Sequence, residues 1–442
     1  MNKNLNPDAV YDARTLGTPK MIVLGLQHMF AMFGATVLVP TLTGLSVSAT
    51  LLFAGLGTLL FHFLTKKKVP AFLGSSFAFL GGYFAIAPGG DPKLLPYACF
   101  GVACAGLMYG VLSALFKAYG VKRVMRFFPP IVTGPIIICV GLHLAPTAIN
   151  SCMDKWGIAL VALAVVIVCN IWGKGMIKII PILLGVVASY LVAAGTGNVD
   201  FSGVASAPWL GLPFRYENTV FSLFTSGNID GGLLLSAVIT ILPISLATMV
   251  EHIGDICAIS STCGENFMED PGFHRTLLGD GLATTLAALF GAPANTTYGE
   301  NTGVLNLTRV FDPRVIRIAA VFAILFSFCP KFSALIAAMP NATIGGVSLI
   351  LYGMIAAVGV RNIVENRVDF SNSRNVIIAA LILCLTIGIE FSGAGNIQLG
   401  SVSLSGLAVA SIVGILLNAI LPGADYEFEQ EDKGSTSVNF QV

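Results

Sequence analysis

Acidic side chains interrupt the apolar segments in the second half of this chain. Glu251 and Asp255 are four residues apart, and this spacing places both carboxylates on one face of a helix. Two carboxylates so close together cannot both ionise easily. Asp280 and Glu300 interrupt the two apolar segments that follow. Because an ionisable side chain inside such a segment is costly to bury, we expect this group to handle a proton or a polar ligand.

Each of these side chains also has a structural interpretation. Glu251 and Asp255 are interpreted alternatively as helix-end carboxylates that reach water. Asp280 and the mid-segment His28 are interpreted alternatively as buried hydrogen-bond partners between helices. Glu300 fits such an interpretation least well, because it begins a half-helix with no cation in its own segment. We therefore keep Asp255, Asp280 and His28 as candidates for proton coupling beside Glu251.

Two segments break the apolar pattern at corresponding places in the two halves of the chain. They are PAFLGSSFAF at residues 70–79 and PANTTYGENTG at residues 293–303. Irregular backbone at membrane depth is tolerated only where protein buries it or where it lines a polar cavity. Paired breaks of this kind are typical of a transporter's binding site.

The two breaks predict the chemistry of the ligand. A half-helix that begins at a break presents free N–H groups and a positive dipole end. We expect such ends at residues 74–77 and 298–300, facing each other across the membrane midplane. Ring carbonyls would accept from these N–H groups, and carboxylates would accept from ring N–H groups. Phe77 or Tyr298 would lie against the ring, so the pattern favours a small planar ligand.

The composition is that of a polytopic membrane protein. The chain has 442 residues, of which 55% are hydrophobic and 11% are charged, whereas soluble domains carry about 25% charged residues. A net charge of +1 argues against nucleic acid as a partner. The nine cysteines form no CxxC pair, so we expect them to fill the core, and no metal site is predicted.

The apolar runs predict an all-α membrane protein with fourteen spans, since a membrane helix needs about 20 apolar residues. The predicted spans are residues 21–40, 48–65, 69–88, 94–116, 129–149, 156–173, 179–196, 231–253, 275–292, 293–309, 314–338, 343–362, 375–391 and 404–422. Residues 1–20 form an N-terminal tail, 21–196 the first seven-span repeat and 197–230 a polar connector outside the cytoplasm. Residues 231–422 form the second seven-span repeat, and 423–442 a disordered cytoplasmic tail.

Basic residues predict the orientation of these spans. Connections on one side hold nearly all of them, including residues 66–68, 117–126, 174–178, 309–317 and 361–374, whereas the other side holds only Lys93, Lys155 and Arg215. By the positive-inside rule, both termini lie in the cytoplasm, and we expect a multi-pass protein of the cell membrane. Seven is an odd number, so equivalent spans of the two halves run oppositely as an inverted repeat.

Four motifs resemble those of the nucleobase:cation symporters, also called nucleobase–ascorbate transporters. The resemblance covers residues 15–422. Its motifs are QH at 27–28 with FGA at 33–35, GSSFAF at 74–79, EHIG at 251–254 and ENxGxxxxTR at 300–309. The second of these is similar to the uracil-transporting branch of the family. All four occur in order and in the expected spans, which makes the resemblance specific.

The resemblance implies a fold, a site and a mechanism. It implies a core of spans 1–4 and 8–11, a gate of spans 5–7 and 12–14, and short antiparallel strands in spans 3 and 10. It implies uracil:proton symport by an elevator-like motion, with the proton as coupling ion, no cofactor, and a homodimer. The implied base-binding residues are Glu251 and Glu300, main-chain groups of Phe77 and Gly299, and the side chains of Ala31, Ser76, Tyr298 and Tyr352.

Asp255 departs from the uracil-branch pattern, which places a histidine four residues after the eighth-span glutamate. Purine-transporting members often carry aspartate there, and they usually carry glutamine at the position of Glu300. An ionised carboxylate only accepts hydrogen bonds, whereas an amide both donates and accepts. We therefore give more weight to Glu300 and expect uracil, with xanthine or urate as the alternative. Asp255 is expected to tune the proton affinity of Glu251.

Two other functions compete with nucleobase transport. Half-helix ends also suit anions such as sulfate or bicarbonate, but Glu300 would repel an anion. A membrane enzyme would need a nucleophile–base pair or a metal cluster. The five histidines are scattered and no HExxH motif occurs, so the sequence predicts a transporter and not an enzyme.

Overall fold

The computed structural model describes residues 9–225, 229–392, 395, 397–399 and 402–423. The fold is almost entirely helical. The predicted disordered tail lies outside the described residues from position 424 onward, as do the first eight residues of the N-terminal tail.

Within the described residues, the first half and the connector contain twelve α-helices and one strand. They are α1 Thr18–Thr43, α2 Val47–Leu64, β1 Leu73–Ser75, α3 Leu80–Ile86, α4 Leu95–Tyr119, α5 Val121–Met125, α6 Pro130–Leu142, α7 Ala145–Cys152, α8 Trp156–Trp172, α9 Met176–Ile179, α10 Pro181–Gly195, α11 Ser202–Ser206 and α12 Phe221–Thr225.

The described part of the second half contains nine α-helices and three strands. They are α13 Gly231–Ile241, α14 Ile244–Cys263, α15 Phe273–Leu289, β2 Asn295–Thr297, α16 Gly299–Thr308, α17 Pro313–Ser327, α18 Pro330–Ala337, α19 Asn341–Glu365, α20 Ser373–Glu390, β3 Ile397–Leu399, β4 Val402–Leu404 and α21 Gly406–Ile420. Strands β1 and β2 pair antiparallel, as do β3 and β4.

The helices are those of a multi-pass membrane protein. Within the described ranges, seven helical stretches are long and apolar enough to cross a membrane, and the bent pair α17 and α18 makes an eighth. Three shorter apolar helices, α8, α10 and α21, fall in predicted spans. The two predicted broken segments contain β1 with α3 and β2 with α16. Helix length alone does not decide the count of fourteen, which stays a prediction.

Two helix boundaries differ from the sequence prediction. The predicted eighth span ends at residue 253, but α14 continues to Cys263 and stops where Gly264 adopts a left-handed conformation. Ser260 is accommodated because its hydroxyl donates to the Ile256 carbonyl, so a polar run continues the helix. In the third span, α3 begins at Leu80 instead of within residues 74–77. Glu251 and Asp255 therefore lie in the middle of a helix and not at its end.

The helices associate in two groups. In one group α1, α2, α4, α15 and α17 contact one another extensively, and in the other α19 packs against α6, α7 and α8 while α20 packs against α21. The segment Gly74–Tyr83 and the segment from α14 to α16 lie where the groups meet, since α14 contacts both α16 and α6. Buried aliphatic and aromatic side chains fill both groups.

Candidate functional site

The two broken segments cross in the interior of the protein as a short antiparallel pair. Leu73 lies opposite Thr297, Gly74 opposite Thr296 and Ser75 opposite Asn295. All residues of both strands are buried. The pairing continues beyond the strands, because the Ser76 N–H donates to the Ala294 carbonyl at 2.8 Å and the Tyr298 N–H donates to the Phe72 carbonyl at 3.1 Å. Each break thus supplies the hydrogen-bond partners that the other needs away from water.

A threonine from a neighbouring helix satisfies the outer edge of each strand. Thr58 of α2 accepts from the Leu73 N–H at 2.9 Å and donates to the Leu73 carbonyl at 3.3 Å. Thr284 of α15 accepts from the Asn295 N–H at 3.2 Å and donates to the Asn295 carbonyl at 3.0 Å. These helices are the second and ninth predicted spans. In each half of the chain, a threonine of the equivalent helix therefore pairs with backbone groups at the outer edge of the strand.

Tyr298 holds together the crossing, which is the antiparallel pair of β1 and β2. Its hydroxyl donates to the Ser75 carbonyl at 2.8 Å and lies 3.3 Å from the Thr36 hydroxyl of α1. Its ring lies against the backbone of Gly74, where an added Cβ would be 2.4 Å from ring carbons. Position 74 therefore needs glycine for close approach. The side chain of Tyr298 is buried against the protein, and it holds the N-terminal end of α16 to β1.

An aromatic pair links the crossing to the second group of helices. Phe77, just after β1, meets Tyr352 of α19 edge to face, with ring centroids 6.1 Å apart. Both rings are buried, as are Ser76 and Ala31. The predicted pocket residues on both sides of the group boundary therefore lie close to the crossing.

Three carboxylates gather beside the start of α16. Glu300 lies in the first turn of this helix, and α14, which carries Glu251 and Asp255, packs against both α16 and β2. The three side chains lie within range of mutual electrostatic repulsion. Thr297 donates a hydrogen bond to Asp255 Oδ2 at 2.6 Å. Among the described ion pairs, none joins a lysine or arginine to these three side chains.

The carboxylates border open space. Glu251, Asp255 and Glu300 are partly exposed, although the strands beside them are buried. Gly254 and Gly299 are exposed, and a Cβ at either position would meet no atom within 4 Å. The N-terminus of α16 and three carboxylates with no lysine or arginine partner among the described ion pairs thus face a space that a small polar ligand can enter.

Asp280 and His28 are fully buried, unlike the three partly exposed carboxylates. Asp280 Oδ2 is 2.9 Å from His252 Nδ1, and both side chains are fully buried. This contact joins α15 to α14 one residue after Glu251. His28 is also fully buried, and its carbonyl accepts from the Asn301 side chain at 3.0 Å, next to Glu300. The structure therefore gives both residues contacts between helices, as their structural interpretations describe.

Three further residues position the site, and sequence reasoning named no partner for any of them. Thr297 holds Asp255, His252 contacts Asp280, and Asn301 joins α16 to α1. Each is a neighbour in sequence of a predicted site residue: Tyr298, Glu251 or Glu300. Adjacency along the chain was the available signal, but it does not show which helix the side chain meets.

Comparison with known proteins identifies what this arrangement is similar to. The model of the Permease family, Xan_ur_permease, matches residues 19–395. A uracil permease of Bacillus caldolyticus is 43% identical, with 94% of each chain covered. A uracil permease of Bacillus subtilis is 40% identical, with 97% of this chain and 98% of the relative covered. A uracil permease of Escherichia coli K12 is 38% identical over 90% of each chain.

Solved structures show the same fold at low sequence identity. The transmembrane domain of the cyanobacterial bicarbonate transporter BicA matches with a TM-score of 0.57 and 15% identity, over 93% of this chain and 99% of that one. SLC26A9 matches with a TM-score of 0.64 and 12% identity, over 92% of this chain and 66% of that one. At this identity the likeness concerns the fold alone.

The threonine contacts predict a matched pair of destabilised variants. Replacing Thr58 or Thr284 with valine removes both hydrogen bonds of the hydroxyl and leaves a buried strand edge unpaired. We expect each change to lower the free energy of unfolding by about 1–3 kcal/mol, measured by thermal unfolding in detergent. Thr296→Val is the control, because the buried Thr296 hydroxyl has no hydrogen-bond partner among the described residues. Equal stability of all three variants would contradict the prediction.

Proposed function

The chain belongs to the nucleobase–ascorbate transporter family that this permease model describes, and from that membership we propose that it imports uracil together with a proton. Its relatives are named permeases and not enzymes. The observation that carries the proposal is the group of three carboxylates at the N-terminus of α16. No described cation pairs with them, and they border open space at the crossing of two broken segments.

Uracil has the chemistry to match this site. The base presents two ring N–H donors and two ring carbonyl acceptors on a flat ring. In the proposal Glu251 and Glu300 accept from the ring N–H groups, and main-chain N–H groups at Phe77 and Gly299 donate to the carbonyls. Tyr352 and the Phe77 ring, which already meet edge to face, bound the ring on the side of α19. Ala31, Ser76 and Tyr298 complete the pocket, with Tyr298 acting through the crossing.

The electrostatic cost of placing three carboxylates side by side supports proton coupling. Three neighbouring carboxylates without a cation repel one another, and burying them under a ligand raises the cost. One proton relieves this repulsion. We assign it to Glu251, because Asp255 already accepts a hydrogen bond from Thr297. In the proposed cycle Glu251 takes a proton from outside, uracil binds, both move inward, and release of the base lets the proton leave to the cytoplasm.

The proposed movement is a displacement of one helix group against the other. The carboxylates lie on α14 and α16, whereas Tyr352 lies on α19, so the ligand would sit between a moving core and a gate. The matching contacts of Thr58 and Thr284 support fourteen spans arranged as an inverted repeat. We further propose a homodimer in the cell membrane with both termini in the cytoplasm, as the distribution of basic residues predicts.

Two rival substrates remain within the family and fold. Asp255 favours a purine such as xanthine or urate. An anion is the second rival, because BicA, which shares the fold, is a bicarbonate transporter. Three carboxylates around the α16 N-terminus would repel an anion. In the proposal the Glu300 carboxylate accepts a hydrogen bond from a ring N–H group, and for this reason we favour uracil over a purine as the substrate.

The role of Glu251 predicts the loss of coupling on its neutralisation. Glu251→Gln keeps the shape of the side chain but cannot release a proton. We expect uptake of labelled uracil into proteoliposomes to lose its dependence on an imposed pH gradient, because the proton that accompanies the base has no carrier.

Glu390→Gln is the matched control for this experiment. Glu390 is a partly buried carboxylate at the end of α20, away from the crossing. We expect uptake of uracil by the Glu390→Gln variant to keep its dependence on the pH gradient. Gradient-driven accumulation that survives in Glu251→Gln would refute the assignment of the proton to Glu251.

A competition assay tests the substrate. We expect unlabelled uracil, but not xanthine, urate, sulfate or bicarbonate, to suppress uptake of labelled uracil by the wild-type protein. Glu300→Gln should weaken uracil uptake by about tenfold or more, because the amide replaces one of the two acceptor oxygens with a donor and removes the charge that strengthens the bond to a ring N–H, a loss of at least about 1.4 kcal/mol. Strong competition by xanthine would favour the purine alternative instead.

A further inference from the structure

The connector between the two halves carries an exposed apolar tip. Residues 201–214 contain no charged side chain. Within them, Trp209, Leu210 and Leu212 are 74%, 80% and 81% exposed. Three large apolar side chains on one short loop form a contiguous patch, and such patches mark a contact with a partner or a membrane.

This tip is held in a defined position. The Gly211 N–H donates to the Phe328 carbonyl, and the Lys331 N–H donates to the Pro208 carbonyl, each at 3.0 Å. On the far side of the tip, the Phe214 ring meets Phe290 edge to face at 5.4 Å. The tip is therefore exposed although the loop that carries it makes defined contacts. The backbone is fixed on both sides, and the apolar side chains project from it.

The helices that hold the tip indicate its depth. Helix α18 meets α17 at 86°. Arg314 and Arg317 at the start of α17 predict its cytoplasmic end, so the other end of α17 and the bend into α18 are expected on the side of the connector. The side of α17 that carries Val321 and Leu325 is exposed and apolar, as expected of a lipid-facing surface. The tip packs at the junction of the two helices, next to this apolar surface, so we expect it at the edge of the bilayer.

A tryptophan and a lysine at the tip have the chemistry of a membrane interface. Lys331 Nζ lies 4.8 Å from the centre of the Trp209 ring. Tryptophan is enriched at the level of lipid headgroups, and lysine places its ammonium group among phosphates while its stem covers apolar surface. Leu210 and Leu212 beside them are suited to the outermost part of the acyl chains.

We propose that residues 208–212 insert into the headgroup–acyl boundary of the bilayer on the side of the connector. The partner is a phospholipid surface, and the tip continues the lipid-facing side of α17. The backbone bonds of the tip to Phe328 and Lys331 hold its apolar side chains beside α17 and α18, at the lipid surface of this helix group. Exposure of three neighbouring apolar side chains to water is unfavourable, which argues against a tip in solution. A second copy of the chain is a less suitable partner than lipid, because the tip continues a surface of α17 that already faces lipid.

Fluorescence quenching tests this proposal on the full-length chain in lipid nanodiscs. The chain has three tryptophans, so the difference between wild type and Trp209→Phe reports Trp209 alone. We expect phosphatidylcholine brominated near the carbonyl end of its chains to quench most of this difference signal. Bromine near the methyl end should quench it less, and aqueous iodide should quench it little.

Two results would overturn the proposal. Quenching by iodide together with no effect of either brominated lipid would place the tip in water. Protection from all three quenchers would place it against protein, as in a contact between two copies. A second variant checks the role of the leucines: Leu210→Ser with Leu212→Ser should raise iodide quenching of Trp209. Phe201→Ser, an exposed apolar residue of the same connector, should leave it unchanged.

Discussion

The hydrogen bonding of two broken helices to each other is the constraint on which the rest of this structure depends. Backbone N–H and C=O groups at membrane depth have no water to satisfy them. The antiparallel pairing of Leu73–Ser75 with Asn295–Thr297 satisfies the inner edges of both segments, and Thr58 and Thr284 satisfy the outer edges. Without these contacts neither break would be tolerable, and no half-helix end would face the interior.

The crossing also decides where charge can gather. Tyr298 fixes the start of α16 against Gly74, and α16 then carries Glu300 to the side of α14. Glu251 and Asp255 lie in the middle of α14 instead of at its end, since the helix continues to Cys263. The result is a concentration of negative charge at a positive helix end. A proton and a ligand with N–H groups can both relieve it, and the proposed coupling of their movement rests on this.

Polar contacts around this site hold helices in place without joining a described lysine or arginine to the carboxylates. Asp280 meets His252, and His28 meets Asn301, in fully buried positions. These contacts join α15 to α14 and α1 to α16, so the helices on either side of the carboxylates belong to one connected unit. The connector joins the same unit through α17 and α18, and its apolar tip extends the unit to the bilayer surface.

The sequence by itself determined the membrane class, most of the helices, the two broken segments and the family. These follow from local composition and spacing: apolar runs of helical length, glycine and proline at the breaks, and rare carboxylates. Tertiary structure alone decided that the breaks pair with each other, that Tyr298 covers Gly74, and that Asp280 and His28 meet other helices while Glu251, Asp255 and Glu300 meet open space. The physical reason is that a hydrogen bond or a cavity depends on which helix lies opposite, and no local pattern along the chain records that.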